Sequence, residues 1–303
     1  MAARTDLFQS PDYYLLDELL TEEHLMIQQA ARDFAQIELL PGVIERDEFS
    51  KFPTEQVKKM AELGFLGMMV DPKYGGSGLD SVSYVLAMTE IAKVDASAAV
   101  IMSVNNSLVC AGLEKYCNEE QKIKYLTPLA KGDVIGAFCL SEPEAGSDAT
   151  SQKTTAIDKG DYYLLNGTKN WITNGSSASI YIVIAQTDVE KGHKGINAFI
   201  VEKNTPGISV GVKENKLGMR ASETAEMVFE ECRVPESNIL GNIGEGFIQA
   251  MKILDGGRIS IASLSLGIAK GALDAAVKYS KEREQFGQPI SNFQGISFKL
   301  ADM

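Results

Sequence analysis

Apolar residues first recur at helical spacing in Leu25, Ile27, Ala31, Phe34 and Ile37. They follow Thr21, which can cap a helix whose first turn carries Glu22 and Glu23. Another helix is predicted to start at Pro53. Beyond the break at Gly75-Gly76-Ser77-Gly78, the stretches 81–93, 95–116 and 118–131 also read as helices. The texture changes from Val134. Thr154-Thr155-Ala156-Ile157 and Tyr162-Tyr163-Leu164-Leu165 flank Asp158-Lys159-Gly160-Asp161, a hairpin pattern, and strand-like runs follow at 180–185, 198–202, 208–212 and 226–229. From Gly246 the helical period returns through Phe247, Ala250, Ile253, Leu254, Ile261, Leu264 and Leu266 and runs on toward Tyr279, a length that suits a bundle or a subunit contact. A last helix starts near Phe293 and is still running at Met303, so the chain is expected to be cut within an element.

The predicted fold is therefore α+β and mainly helical. It comprises a helical amino-terminal domain over 1–132, a middle antiparallel β-sheet or barrel domain over 133–244, and an incomplete carboxy-terminal helical bundle over 245–303.

Composition narrows the function classes. A net charge of −12 on 303 residues, without a basic cluster, argues against nucleic acid as a partner. The first 23 residues hold six acidic side chains against one Arg, the reverse of a transit peptide, which predicts a cytoplasmic address. The most apolar stretch, 94–110, is broken by Asp95, Ser97, Ser103, Asn105 and Asn106, so no membrane helix is expected. Cys110, Cys117, Cys139 and Cys232 form no Cys-x-x-Cys pair, and His24 and His193 lie far apart. A metal site or a His-based triad is accordingly not expected, and the cysteines read as buried, reduced hydrophobes.

Neither glycine cluster fits a dinucleotide fingerprint. Gly75-Gly76-Ser77-Gly78 has the wrong spacing, and Gly241 to Gly246 follows a loop rather than a clean parallel strand. More informative is Phe138-Cys139-Leu140-Ser141-Glu142-Pro143-Glu144-Ala145-Gly146-Ser147-Asp148, which leaves a strand and gathers hydroxyls, glycine and backbone donors into one loop. Such a loop suits a polar ring edge and a phosphate. Asn170-Trp171-Ile172-Thr173-Asn174-Gly175 adds an aromatic plane and a hydroxyl at alternating strand positions.

Both segments resemble the flavin-binding signatures of the acyl-CoA dehydrogenase family, with a short-chain, butyryl-CoA dehydrogenase-like character. Leu254-Asp255-Gly256-Gly257-Arg258 and Arg283-Glu284-Gln285-Phe286-Gly287 resemble its later helices, in the same order, from about Leu20 to Met303. The resemblance implies FAD as cofactor, with Phe138, Leu140 and Ser141 lining the isoalloxazine, Trp171 and Ile172 beside it, and Thr173 bonding near N5. It implies that Ser147 touches both cofactor and substrate, that Asp255 and Arg258 contact the CoA thioester, and that Arg283, Phe293 and Gln294 hold the FAD of a neighbouring subunit in a homotetramer. The implied reaction is α,β-dehydrogenation of an acyl-CoA to a trans-2-enoyl-CoA, with electrons passed to an electron-transfer flavoprotein. The alternatives are a flavin oxidase or monooxygenase on the same framework, or a non-catalytic flavin or acyl-CoA binding protein. The family's general base, a glutamate, has no match within these residues, and Gly257 stands where a minority of members place it, so no catalytic residue is assigned. Ala99 stands where the glutaryl-CoA branch has an arginine, which implies a monocarboxylic acyl group.

Overall fold

The computed structural model describes residues 15–303, so most of the acid-rich start lies outside the described residues. Thr21 caps α1 (Glu22–Phe34) as expected. Its hydroxyl accepts from the His24 N–H, and His24 Nδ1 accepts from the Thr21 N–H in return. The other ring nitrogen of His24 lies 2.9 Å from Asp80 Oδ2. After α2 (Val43–Glu48) and α3 (Thr54–Glu62), Asp80 in turn caps α4 (Ser81–Ala92) by accepting from Ser83 N. Glu90 on α4 takes a paired contact from the Arg32 guanidinium at 3.0 and 3.1 Å, which fixes α1 across α4.

The stretch read as one helix over 95–116 contains a wider turn. α5 (Ala96–Ser103) passes into a π-helical segment, Val104–Cys110, and then into α6 (Ala111–Tyr116). π-Turns concentrate at functional sites, and this one carries two buried amides with structural duties. Asn105 donates to the carbonyls of Leu66 and Leu129 and accepts from Gly136 N. Asn106 donates to Phe65 and Met102 and accepts from Met68 N. The block closes with α7 (Glu119–Gln121) and α8 (Thr127–Lys131), joined by a further π segment, Lys122–Leu126.

Asn105 thereby fixes the start of β1 (Gly136–Cys139), the first strand of a seven-stranded sheet. The others are β2 (Thr155–Asp158), β3 (Tyr162–Thr173), β4 (Ile180–Gln186), β5 (Ile196–Glu202), β6 (Ile208–Lys213) and β7 (Thr224–Pro235). β2 and β3 form the expected hairpin, and antiparallel pairing continues through β3–β7, β6–β7 and β4–β5. The sheet is not wholly antiparallel, however. β1 runs parallel to β4, and β2 meets β4 in parallel at Thr155 and Gln186. The long excursion through the 140–154 loop and the β2–β3 hairpin supplies the length a parallel crossover needs.

The final helical part is α9 (Gly246–Glu282), a two-residue ribbon of β8 (Glu284–Gln285) and β9 (Gln288–Pro289), and α10 (Gln294–Asp302). α9 buries Ile253, Gly257, Ser260, Leu264 and Gly267, spaced 4-3-4-3, against the helical block. Ile259, Ile261, Leu266 and Ile268 remain exposed.

The expectation that no stretch has the make-up of a membrane helix is corrected here. Residues 96–116 and α9 are both long and apolar enough by length and composition. In the first, 78% of the most apolar window is buried inside the fold, so its hydrophobicity serves the core; its amides Asn105 and Asn106 are buried and hydrogen-bonded, and Asp95 caps its start.

Candidate active site where sheet and helices meet

One apolar cluster joins all three parts of the fold. It contains Val104 and Val109 of the π segment, Phe138 of β1, Ile182 of β4, Ile200 of β5 and Ile253 of α9, with Leu108, Leu140, Phe247 and Leu254 packed against it. Beside it opens a cavity of about 450 Å³ lined by Ser103, Val104, Ser107, Leu108, Leu254, Gly257, Arg258 and Ile261. The two serine hydroxyls are turned to protein partners. Ser107 donates to the Ser103 carbonyl at 2.8 Å, and Ser103 Oγ lies 2.7 Å from Ser260 Oγ. The wall is therefore effectively apolar, suited to a hydrocarbon chain. Arg258 is the one charged residue in the lining, and it pairs with Asp255 at 3.4 Å, both side chains facing solvent. Gly257 brings bare backbone to the wall, where an added Cβ would meet Leu108 Cδ2 at 2.8 Å.

The two motifs of the sheet are seated side by side. Asn170 N donates to the Ser141 carbonyl at 2.8 Å, so the loop after β1 lies along the end of β3. A bulge in the β3–β7 pairing between Lys169 and Ile172 holds Trp171 at φ +58°, a left-handed conformation that costs a bulky residue about 1–3 kcal/mol. Its consequence is orientation: Trp171 is 57% exposed, whereas its neighbour Ile172 is buried in the sheet core, so only the backbone of Ile172 is left to face a ligand. Ser141 and Thr173 are half-buried, and their hydroxyls have no hydrogen-bond partner among the described residues. An exposed aromatic plane flanked by two free hydroxyls fits a planar, polar-edged ring such as a flavin. Ser147 is exposed in the same loop.

Arg283, Phe293 and Gln294 do not join this group within one chain. Arg283 follows α9 by one residue, and at about 1.5 Å per residue it lies roughly 37 Å along the axis from Arg258. Phe293 packs edge-on to Phe286, and Gln294 opens α10. Ala99 is buried one turn before Ser103 on α5 and does not line the cavity.

Sequence reasoning passed over Lys169. It is fully buried, its Nζ 2.7 Å from Glu142 Oε1 and 3.0 Å from the Leu140 carbonyl. A signal was present, since Tyr163, Leu165 and Lys169 alternate on the inward face of β3, where a lysine requires a partner. The cavity walls Ser103, Val104, Ser107 and Leu108 were hidden in what read as an ordinary core helix.

Comparison with known proteins bears on all three parts of the fold. Family models match in order: the acyl-CoA dehydrogenase N-terminal domain over 21–133, middle domain over 137–232 and C-terminal domain over 244–303. The chain is 52% identical over 284 residues to the short-chain specific acyl-CoA dehydrogenase, mitochondrial, of Rattus norvegicus, covering 94% of this chain and 69% of that protein. Against the short-chain specific acyl-CoA dehydrogenase of Clostridium acetobutylicum the identity is 48% over 288 residues, covering 95% and 76%. Among solved structures, butyryl-CoA dehydrogenase from Megasphaera elsdenii superposes with a TM-score of 0.90 at 48% identity, covering 93% of this chain and 75% of that one. A chain from the structure described as "Electron transferring flavoprotein of Acidaminococcus fermentans: Towards a mechanism of flavin-based electron bifurcation" gives 0.92 at 52% identity, covering 93% and 74%. A glutaryl-CoA dehydrogenase from Mycobacterium smegmatis in complex with FADH2 gives 0.89 at 38% identity, covering 94% and 72%. With the helical block, the sheet and the long helix each matched in order, this chain belongs to the acyl-CoA dehydrogenase family of flavin oxidoreductases.

Proposed function

We propose that the protein binds FAD and dehydrogenates short, monocarboxylic acyl-CoA thioesters to trans-2-enoyl-CoA. The observation that carries this is the Asn170–Ser141 hydrogen bond, which sets the exposed Trp171 plane and the free hydroxyls beside Leu140. Leu140 in turn packs on the same apolar cluster as the cavity walls Leu108 and Leu254. FAD, when bound, supplies the acceptor for the hydride from the β carbon. The chain's own part is to present Trp171, Ser141 and Thr173 to the ring, to receive the acyl chain between Val104, Leu108, Leu254 and Ile261, and to hold the thioester end at Arg258 and Asp255. The only charge in the lining is Arg258, already paired with Asp255, so a second carboxylate on the acyl group would enter the apolar wall unpaired. No carboxylate lines the cavity among the described residues, so in this reading the base that takes the α proton comes from outside that lining.

The electron acceptor in this proposal is an electron-transfer flavoprotein, a reading supported by the likeness to the Acidaminococcus chain. The assembly is a homotetramer, supported by the distance of Arg283 from Arg258, which leaves those residues available to a neighbouring copy. A cytoplasmic address belongs to the same reading. It is supported by four buried cysteines that are all free thiols, the state a reducing compartment keeps.

The test is spectroscopic. Purified protein should carry a flavin absorbance whose visible band butyryl-CoA perturbs at lower concentration than glutaryl-CoA does, a readout of binding that does not depend on the α-proton base. Protein that takes up no flavin, or flavin whose spectrum butyryl-CoA leaves unchanged, would overturn the reading.

A further inference from the structure

Lys169 and Glu142 form an ion pair that is almost fully removed from water, with side-chain exposures of 0% and 5%. Every proton of the ammonium is used: it donates to Glu142 Oε1 at 2.7 Å, to the Leu140 carbonyl at 3.0 Å and to Gln152 Oε1 at 3.3 Å. The carboxylate is used as fully. Its Oε1 also accepts from Thr154 N at 3.0 Å, and its Oε2 accepts from Lys153 N at 2.5 Å. Gln152 extends the set by donating to the Ala149 carbonyl at 2.9 Å. Both ends of the 140–154 loop therefore hang on two buried charges. Ser141 stands next to one anchor, and Ser147 projects from the arc between them.

Such a pair is a poor device for stability alone. Desolvating two ions offsets most of their attraction, and apolar replacements of similar volume often leave a fold as stable or more so. Burial pulls the Lys169 ammonium below its ordinary value, against the attraction of Glu142. Burial raises the Glu142 carboxyl, but Lys169 and the Lys153 and Thr154 contacts carry it net below the usual carboxylate range. What the pair does provide is direction: three donors and two acceptors arranged around one point define where a loop without regular structure must lie.

We propose that Lys169 and Glu142 are positioning residues that preorganise the 140–154 loop, so that Ser141 and Ser147 meet the flavin without ordering the loop on binding. The inference rests on the flavin reading of the site and assigns it a part that the motif residues do not perform themselves. Lys169 is on the same strand as Trp171 and Thr173, so one side chain sets the register between the ring-stacking strand and the hydroxyl-bearing loop.

The informative variant is the double K169M/E142Q, which removes both charges at similar volume and leaves a side-chain amide in place of the carboxylate, still able to accept a backbone N–H. Circular dichroism and thermal unfolding establish that it folds. Titration of the apoprotein with FAD, followed by quenching of the single tryptophan, should then give a Kd raised about tenfold, because ordering the loop now opposes binding. At saturating FAD the flavin's long-wavelength visible band should lose its resolved shoulder, a change that lowered stability alone does not produce. Trypsin should cut the apoprotein after Lys153 about tenfold faster than in the wild type. A folded double variant with wild-type Kd, spectrum and cleavage rate overturns the anchoring. If the double variant does not fold, Gln152→Leu removes the third acceptor and the Ala149 tether while keeping the ion pair. It should show the same changes to a smaller degree, and wild-type behaviour there overturns the proposal equally. A wild-type protein that takes up no FAD defeats the flavin reading instead, and the trypsin comparison still reports whether the pair holds the loop.

Discussion

The hydroxyl of Tyr84 lies 2.5 Å from that of Ser260, joining α4 to a position 176 residues later on α9. Ser260 also meets Ser103 at 2.7 Å, so a buried chain of three hydroxyls runs behind the cavity wall. Burial pushes the Tyr84 phenol above its ordinary value, which keeps it protonated and able to donate. Tyr84→Phe removes one contact and leaves Ser260 its bond to Ser103, so it should cost about 1 kcal/mol. Ser260→Ala strands the Tyr84 hydroxyl as well and should cost about 2 kcal/mol. The double variant should lose less than the sum, since both substitutions break one shared bond. Urea unfolding of the three variants checks this, and full additivity would mean that the chain of hydroxyls is not a unit.

The crossing of α4 and α9 depends on absent side chains. A Cβ on Gly267 would stand 2.5 Å from the Thr89 carbonyl oxygen and 2.6 Å from Ala92 Cβ, and one on Gly271 would stand 2.3 Å from the Lys93 carbonyl oxygen. Backbone on the partner helix cannot swing aside as a flexible side chain can. Although alanine favours the helix by about 1 kcal/mol over glycine, Gly267→Ala should destabilise the protein by a net 1–3 kcal/mol, about the usual cost of overpacking. Gly256→Ala meets nothing within 4 Å and should stabilise by up to about 1 kcal/mol. Thermal unfolding of the pair provides an internal control, and equal shifts would contradict the close approach.

Local chemistry made much of this architecture legible in the sequence. Thr21 announces α1, the Asp158–Asp161 turn announces the β2–β3 hairpin, and the two motif segments mark the loop after β1 and the end of β3, which the Asn170–Ser141 hydrogen bond seats side by side. What stayed hidden depends on partners distant in sequence. The parallel pairing of β1 with β4 is decided by a crossover and leaves no local pattern. The left-handed backbone of Trp171 arises from a bulge opposite β7, because nothing in the residue itself prefers φ +58°. Asn105 and Asn106 looked like interruptions of an apolar helix, yet their amides hold the Phe65 and Leu66 carbonyls after α3 and the N–H groups of Met68 and Gly136. Lys169 was the most readable of the hidden features, being a lysine in an inward register.

Acid should uncouple the amino-terminal helices through Asp80. The Ser83 N–H, followed by the His24 ring, holds its carboxyl down to about 2 from 3.8. A depressed folded pKa contributes stability that is complete above 3.8 and is lost as pH falls through about 2. Asp80→Ala removes the cap of α4 and should cost about 1 kcal/mol near neutral pH. The gap between variant and wild type should stay constant down to about pH 4 and close toward about pH 2, because the wild-type carboxyl then protonates. Denaturant midpoints measured in parallel across that range test the assignment, and a gap that persists undiminished at the acid end would rule it out.

Trp171 offers a separation of stability from ligand binding. Its left-handed backbone is strained, its ring is mostly in solvent, and its neighbours Lys169 and Ile172 already anchor the strand. Trp171→Gly relieves the strain, while glycine's extra freedom in the unfolded chain returns part of that gain. The apoprotein should therefore hold its stability or gain up to about 1 kcal/mol. Binding should move the other way. Loss of the aromatic plane beside Ser141 and Thr173 should weaken FAD by about tenfold or more, stacking contacts being worth roughly 0.5–1.5 kcal/mol beyond the area they bury. Trp171→Phe keeps a ring in the same strained backbone, so it should retain most of the affinity and gain no stability. Chemical denaturation of the three apoproteins, paired with FAD titration by flavin fluorescence, measures both quantities. A glycine variant that unfolds more readily than the wild type, or binds FAD as tightly, would show that the bulge serves the strand and not the cofactor.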